Sequence, residues 1–183
     1  MSTEPDPLAD TRRWLERAVI GLNLCPFAKA VHVKGQVHWA VSGQEDAAGV
    51  LEDFTRELDA LLALPARERD TTLLVVPRGM EDFLTFNDLV ARAERIVRKR
   101  RLEGVVQVAS FHPRFVFAGV EEDDVTNYTN RAPWPTLHLL REESMARAVA
   151  AFPDAAAIYE ANMEKLRQLG PEGWDALDVG PHE

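Results

Sequence analysis

Three short runs rich in branched and aromatic residues, centred near residues 39, 74 and 108, alternate with helical stripes. That order leaves few folds open. Val37, Trp39 and Val41 alternate with His38, Ala40 and Ser42, the period of a strand with one buried face. Thr71 to Val76 (TTLLVV) reads as a strand buried on both faces, and Val105 to Phe111 (VVQVASF) as a third strand. Between the first two, Ala47, Val50, Leu51, Phe54, Leu58, Leu61 and Leu62 form a helical stripe that stops before Pro65. Ser42 and Glu45 resemble a capping box ahead of it. Between the second and third, Phe83, Phe86, Val90, Ala93, Ile96 and Val97 mark a helix over about Glu81 to Arg101, punctuated by Gly104. Strand–helix–strand–helix–strand predicts an α/β fold with a mostly parallel sheet of three or four strands and right-handed crossovers.

The flanks add helices. Asp6 reads as an N-cap with Pro7 at the first helical position. Leu8, Thr11, Leu15, Ala18, Val19 and Leu22 share a face, and Pro26 bars continuation past Gly21 to Leu24. Thr136 to Leu140 fits a strand with Leu137 and Leu139 on one side. It fits equally the start of a helix with Pro135 at its head, because Leu137, Leu140, Ser144, Ala148 and Phe152 also share a helical face. Phe152-Pro153 ends that segment, and a last helix runs from Asp154 to about Leu169, closed by Gly170. The expected organisation is a disordered N-terminus (residues 1–5), a single domain (6–169) ending in a helical pair, and a mobile tail (170–183).

With 183 residues and 46% hydrophobic content, the chain can bury a real core. A net charge of −9 argues against a phosphate backbone as partner, so no nucleic acid is expected. The exception, Arg98 to Arg101, stands at a predicted helix end, where cations offset the dipole. One cysteine excludes an internal disulfide and fits a reducing compartment. No apolar run approaches the roughly 20 residues of a membrane span, and the acidic MSTEPDPLAD does not read as a secretory signal. A cytoplasmic protein without a membrane partner is expected, its oligomeric state open.

Parallel sheets bind ligands beyond the carboxyl ends of their strands, here Ser42 and Gly43, Pro77 to Gly79, and His112. From His112 to Pro135 no regular period is sustained. Loops that long are functional or disordered, and Phe115, Phe117, Tyr128 and Trp134 argue against disorder. His112, at the end of the third strand, is a candidate acid–base group or metal ligand. His138 is the second. On a helix it would share a face with Arg141 and Glu142, whereas on a strand it would point away from Leu137 and Leu139. Arg131 and Arg141 are candidates to clamp an anion through forked hydrogen bonds, with Asn127 and Asn130 orienting it. Against this, Asn and Thr side chains often cap their own loop. Glu121 to Asp124 lacks the alternation of a calcium loop. Cys25, in GLNLCPFA, resembles the single-cysteine form of a thioredoxin-like motif, but a helix precedes it where that motif has a strand. A third catalytic role for Cys25, beside the two histidines, stays open. There is no Gly-rich phosphate loop, G-x-S-x-G, H-E-x-x-H or paired C-x-x-C.

Three readings follow. The first is an enzyme acting on a small anionic substrate through His112, His138, Arg131, Arg141, Asn127 and Asn130. The second adds a divalent metal, zinc or iron, held by His112 and His138 with Cys25, Asp124 or Glu142. The third is a non-catalytic module presenting Trp134, Phe115 and Phe117 to a partner protein.

Three segments together, GLNLCPFA (Gly21 to Ala28), FHP (Phe111 to Pro113) and NYTNRAPWPTLHLLREES (Asn127 to Ser144), resemble a bacterial family of unknown function, the domain family numbered 1415. The resemblance covers nearly the whole chain and its last segment is specific. It implies no particular reaction, substrate or cofactor. It does imply that these segments are the family's hallmark, in agreement with the site inferred from residue types.

Overall fold

The computed structural model describes residues 5–151 and 154–181. Residues 1–4 of the expected disordered N-terminus, the Phe152-Pro153 break and residues 182–183 of the expected tail lie outside them. The chain opens with α1 (Pro7–Trp14), a π-helical stretch (Leu15–Ile20) and α2 (Ala28–Val33). There follow β1 (Val37–Val41), α3 (Ala47–Ala63), β2 (Thr71–Val75), α4 (Phe83–Lys99) and β3 (Val106–Phe111). A 3₁₀ turn (Val125–Asn130), β4 (Thr136–Arg141), α5 (Glu142–Ala151) and α6 (Ala155–Asp175) complete it.

Most local signals act as read. Asp6 accepts from the amides of Leu8 and Ala9, which the first turn of α1 leaves without helical partners. The expected capping box does not form. Asp46 is the N-cap of α3, accepting from the Gly49 amide, while the Ser42 hydroxyl donates to the buried Asp53 at 2.7 Å. Gly170, at φ 66°, interrupts α6. Pro171 then opens a further turn, and the segment expected as a mobile tail packs Trp174, Leu177 and Val179 beside α1.

The sheet is mixed, not mostly parallel. Its order is β1-β2-β4-β3, with β1 and β2 parallel and β4 antiparallel to both neighbours. The two crossovers do leave β1, β2 and β3 pointing the same way, as the alternating pattern requires. The long loop after β3 then returns the chain, and β4 inserts between β2 and β3. That insertion settles Thr136 to Arg141 as a strand. Leu137 and Leu139 face α3 and α4 and are fully buried. His138 faces the other way, in register with Leu73 on β2 and Ala109 on β3.

The two sheet faces differ. On one, Val50, Phe54, Leu58 and Leu61 of α3 and Phe86, Leu89 and Ala93 of α4 close against Leu74, Leu137 and Leu139. On the other, α1 and the π-helical stretch cover the sheet through Trp14, Leu15, Ala18 and Val19. Trp14 meets Phe111 edge-on, ring centroids 4.9 Å apart. Asp10 on α1, itself buried, accepts from the Trp134 indole at 3.0 Å and the Arg13 guanidinium at 2.6 Å. The short helices α2 and α5, which flank the rest of this face, contain no buried residue.

Candidate functional site

The loop that gathers most of the candidate side chains uses them on itself. His112 is fully buried between Phe83 and Phe86 of α4. Its Nε2 donates to the Met80 carbonyl at 2.9 Å, and its Nδ1 accepts from the Arg114 amide at 3.0 Å. Desolvation lowers its pKa, further depressed by the charge of Arg114 and partly offset by the Met80 bond. Asn127, also fully buried, accepts from the Phe117 amide and donates to the Glu121 carbonyl. Asn130 donates to the Ser110 carbonyl. Arg131 lies over the Tyr128 ring and donates to the carbonyls of Phe115 and Glu122. Asp124 caps the 3₁₀ turn through Thr126, whose amide and hydroxyl hold its carboxyl below the usual range. Trp134 is tied to Asp10, while Phe115 packs on Phe83 and Phe117.

The concave site lies elsewhere, on the thinly covered face of the sheet. A cavity of about 640 Å³ opens there. Its floor is sheet: Leu73, Ala109, Phe111 and His138. Trp14, Leu15 and Val19 form one wall, the Cys25-to-Ala28 turn a second, and α2 and α5 stand at the mouth. Three sequence-derived candidates, Cys25, His138 and Arg141, therefore share one cavity. His112, packed on α4, is across the sheet from them. Glu142 begins α5, its amide bonded to the Val105 carbonyl.

His138 is the central polar group. Its Nε2 is 2.5 Å from the Thr71 hydroxyl, which also stands 2.7 Å from the Leu139 carbonyl. A hydroxyl has one proton, and the carbonyl can only accept, so Thr71 donates to Leu139 and accepts from His138. The imidazole is thus the neutral Nε2–H tautomer, and among the described residues nothing bonds to Nδ1. The ring keeps some accessible surface, which faces the cavity, and desolvation lowers its pKa to about 4.

Charge is distributed unevenly along the lining. Among the described residues, Lys34, Arg67, Arg141 and Arg147 oppose a single carboxylate, Asp70. Arg141 is committed: its guanidinium donates to the carbonyls of Leu61, Leu64 and Arg69, sealing the carboxyl end of α3. Arg147 pairs with Glu143, and Asp70 accepts from the Ser144 hydroxyl at 2.5 Å. Neither Lys34 nor Arg67 has a side-chain bond within the described residues. Among those residues no group of three His, Cys, Asp or Glu side chains is arranged to hold a metal ion.

Sequence reasoning passed over Trp14, Lys34, Arg67 and Thr71. The rule it used, ligands beyond strand carboxyl ends, points to the end of the sheet opposite the cationic mouth. Because β4 runs antiparallel, its carboxyl end brings Arg141 and Ser144 beside the amino ends of β1 and β2, where Lys34, Gln36, Arg67 and Asp70 stand. The usable signal was a cluster of charges just ahead of two strands, Lys34-Gly35-Gln36 and Arg67-to-Asp70.

No curated protein and no solved structure matches the chain. The family described as "Protein of unknown function (DUF1415)" matches residues 6–176, a span holding every residue of the cavity and of the loop, and the chain belongs to that family.

Proposed function

We propose that the protein is an enzyme acting on a small anionic molecule held in this cavity, with His138 as its acid–base group. The observation that carries the reading is a neutral, oriented imidazole on the floor of a concave site whose charged lining is mainly cationic. The volume falls within the roughly 300–1,000 Å³ of small-molecule sites. Thr71 fixes the tautomer, so Nδ1 is the nitrogen left for the substrate. Desolvation makes that nitrogen a weak base before an anion binds. A bound anion favours imidazolium and raises the pKa toward the range in which general bases work, so base strength arrives with the substrate. Cys25, on the facing wall, is the second group able to exchange a proton or attack an electrophile there.

The test is a thermal-denaturation screen with carboxylates, sulfonates and phosphates of graded chain length, from acetate to decanoate size, on wild type and on Ala109→Phe, which fills the cavity beside His138. The expected result is a ligand that stabilises wild type selectively and is consumed by wild type but not by His138→Gln. Ligands that stabilise both proteins equally, or a panel with no effect, would sink the reading.

A further inference from the structure

We infer that the anion is an elongated amphiphile, with its apolar body against Trp14, Val19 and Phe111 and its charged head between Lys34 and Arg67. This rests on the reading of the cavity as a substrate site and adds the class and orientation of what enters it.

The lining of the cavity changes from apolar to charged along the strands. At the level of Phe111 and Thr136 the cavity is bounded by Trp14, Leu15 and Val19, all nearly inaccessible to solvent. One step along, Leu73, His138 and Ala109 share a row. A further step brings Thr71 and Leu140, and beyond these lie Asp70 and Arg141. From Thr136 to Leu140 is four residues, about 13 Å at the rise of a strand. Exposure follows the same axis: Lys34 and Arg67 are open to solvent, whereas Trp14, Leu15 and Val19 at the inner end are buried. A small, fully hydrated anion would leave that inner end unfilled, and a neutral apolar molecule would leave two cations without a counterion. An amphiphilic anion satisfies both ends, its own apolar part leaving water for the hydrophobic wall and its head pairing with ammonium and guanidinium. Asp70, the one acidic residue of the lining among the described residues, is engaged by Ser144. Neutral His138 sits between the two ends, level with the carbons nearest the head.

The experiment is calorimetric titration of the intact protein with decanoate, decanol and acetate, repeated on the Lys34→Gln/Arg67→Gln double variant. Both substitutions are at exposed positions. Decanoate is expected to bind at one site per chain, about tenfold or more tighter than decanol. The double variant should lose that advantage while keeping its decanol affinity, and acetate should not bind measurably. If decanol binds as tightly as decanoate, the cavity reading stands and the anionic head falls. If acetate matches decanoate, the apolar body falls. If none of the three binds wild type, both readings fall together. Orientation is read from tryptophan fluorescence: 11-bromoundecanoate should quench wild type more than 2-bromoundecanoate, and the difference should vanish in Trp14→Phe. The reverse order would overturn the assigned direction.

Discussion

The loop of residues 112–135 and the cavity draw on the same residue types and spend them differently. In the loop, His112, Asn127 and Arg131 are rich in hydrogen-bonding atoms, and the loop's own amides and carbonyls take them up. A segment without regular structure has no ladder to satisfy its backbone, so side chains must do it. In the cavity the polar groups are fewer, but Lys34, Arg67 and Nδ1 of His138 have no such partner among the described residues. Polar density in a sequence therefore measures how much backbone needs satisfying as readily as it marks a site. What marks a site is capacity left over on a concave surface.

The comparison breaks first, and with the largest effect, at His112. Replacing it by alanine removes a fully buried ring between two phenylalanines and strands the Met80 carbonyl and the Arg114 amide. The expected loss is about 3–5 kcal/mol, or roughly 6–20 °C in melting temperature for a chain of this size. Asn127→Ala should follow at about 2–3 kcal/mol, since it leaves the Phe117 amide and the Glu121 carbonyl unpaired. Denaturant unfolding measures both. If either variant keeps wild-type stability yet loses cavity ligands, the loop is part of the site and the contrast is wrong.

Acid should act next, and through the cavity. His138 titrates near 6.5 when unfolded and at about 4 when folded. Above pH 6.5 it is neutral in both states and contributes nothing to the pH dependence. Between pH 6.5 and 4 the unfolded chain binds the proton and the folded chain does not, so stability falls as pH falls. The accumulated loss is about 3 kcal/mol by pH 4. The lowered pKa of His112 works in the same direction, so the profile of His138→Gln isolates the contribution of His138. Subtraction should leave a slope confined to that window. A His138→Gln profile superimposable on wild type would mean that water reaches the ring freely and that burial does not lower its pKa.

The fold was legible where one signal decided each element. Asp6-Pro7, the stripes from Ala47 and Phe83, and the branched run at Thr71 each fix a local conformation. The place of β4 was not, because a five-residue alternation at Thr136 to Leu140 fits two periods, and only pairing with β2 and β3 chooses between them. Sheet polarity and site position depended on that one choice. The parallel reading directed attention to strand carboxyl ends, while an inserted antiparallel strand carries Arg141 and Ser144 to the other end. His138 was legible as a candidate because either period made it polar among leucines. Lys34 and Arg67 were not, because an exposed cation ahead of a strand looks like any solvated charge until the cavity beside it is seen.

The smallest effect expected is a ratio of reaction rates, and it tests the cationic mouth without knowing the ligand. The single cysteine of the chain, Cys25, stands on the cavity wall and is half-buried. Alkylation by iodoacetate and by iodoacetamide therefore reports on one thiol. The two reagents differ in charge, and intrinsic reactivity cancels when their rate ratio is compared between proteins. If reagents enter past Lys34 and Arg67, those cations concentrate iodoacetate over iodoacetamide, by about two- to threefold at low salt, since exposed charges act weakly and are screened. The ratio should drop by that factor in Lys34→Gln/Arg67→Gln and in wild type at high salt. Ala109→Phe should slow both reagents equally by narrowing the path. A ratio that ignores the two cations, or alkylation untouched by the filled cavity, would place the route to Cys25 outside the mouth and reduce the cavity to a packing defect under two short helices.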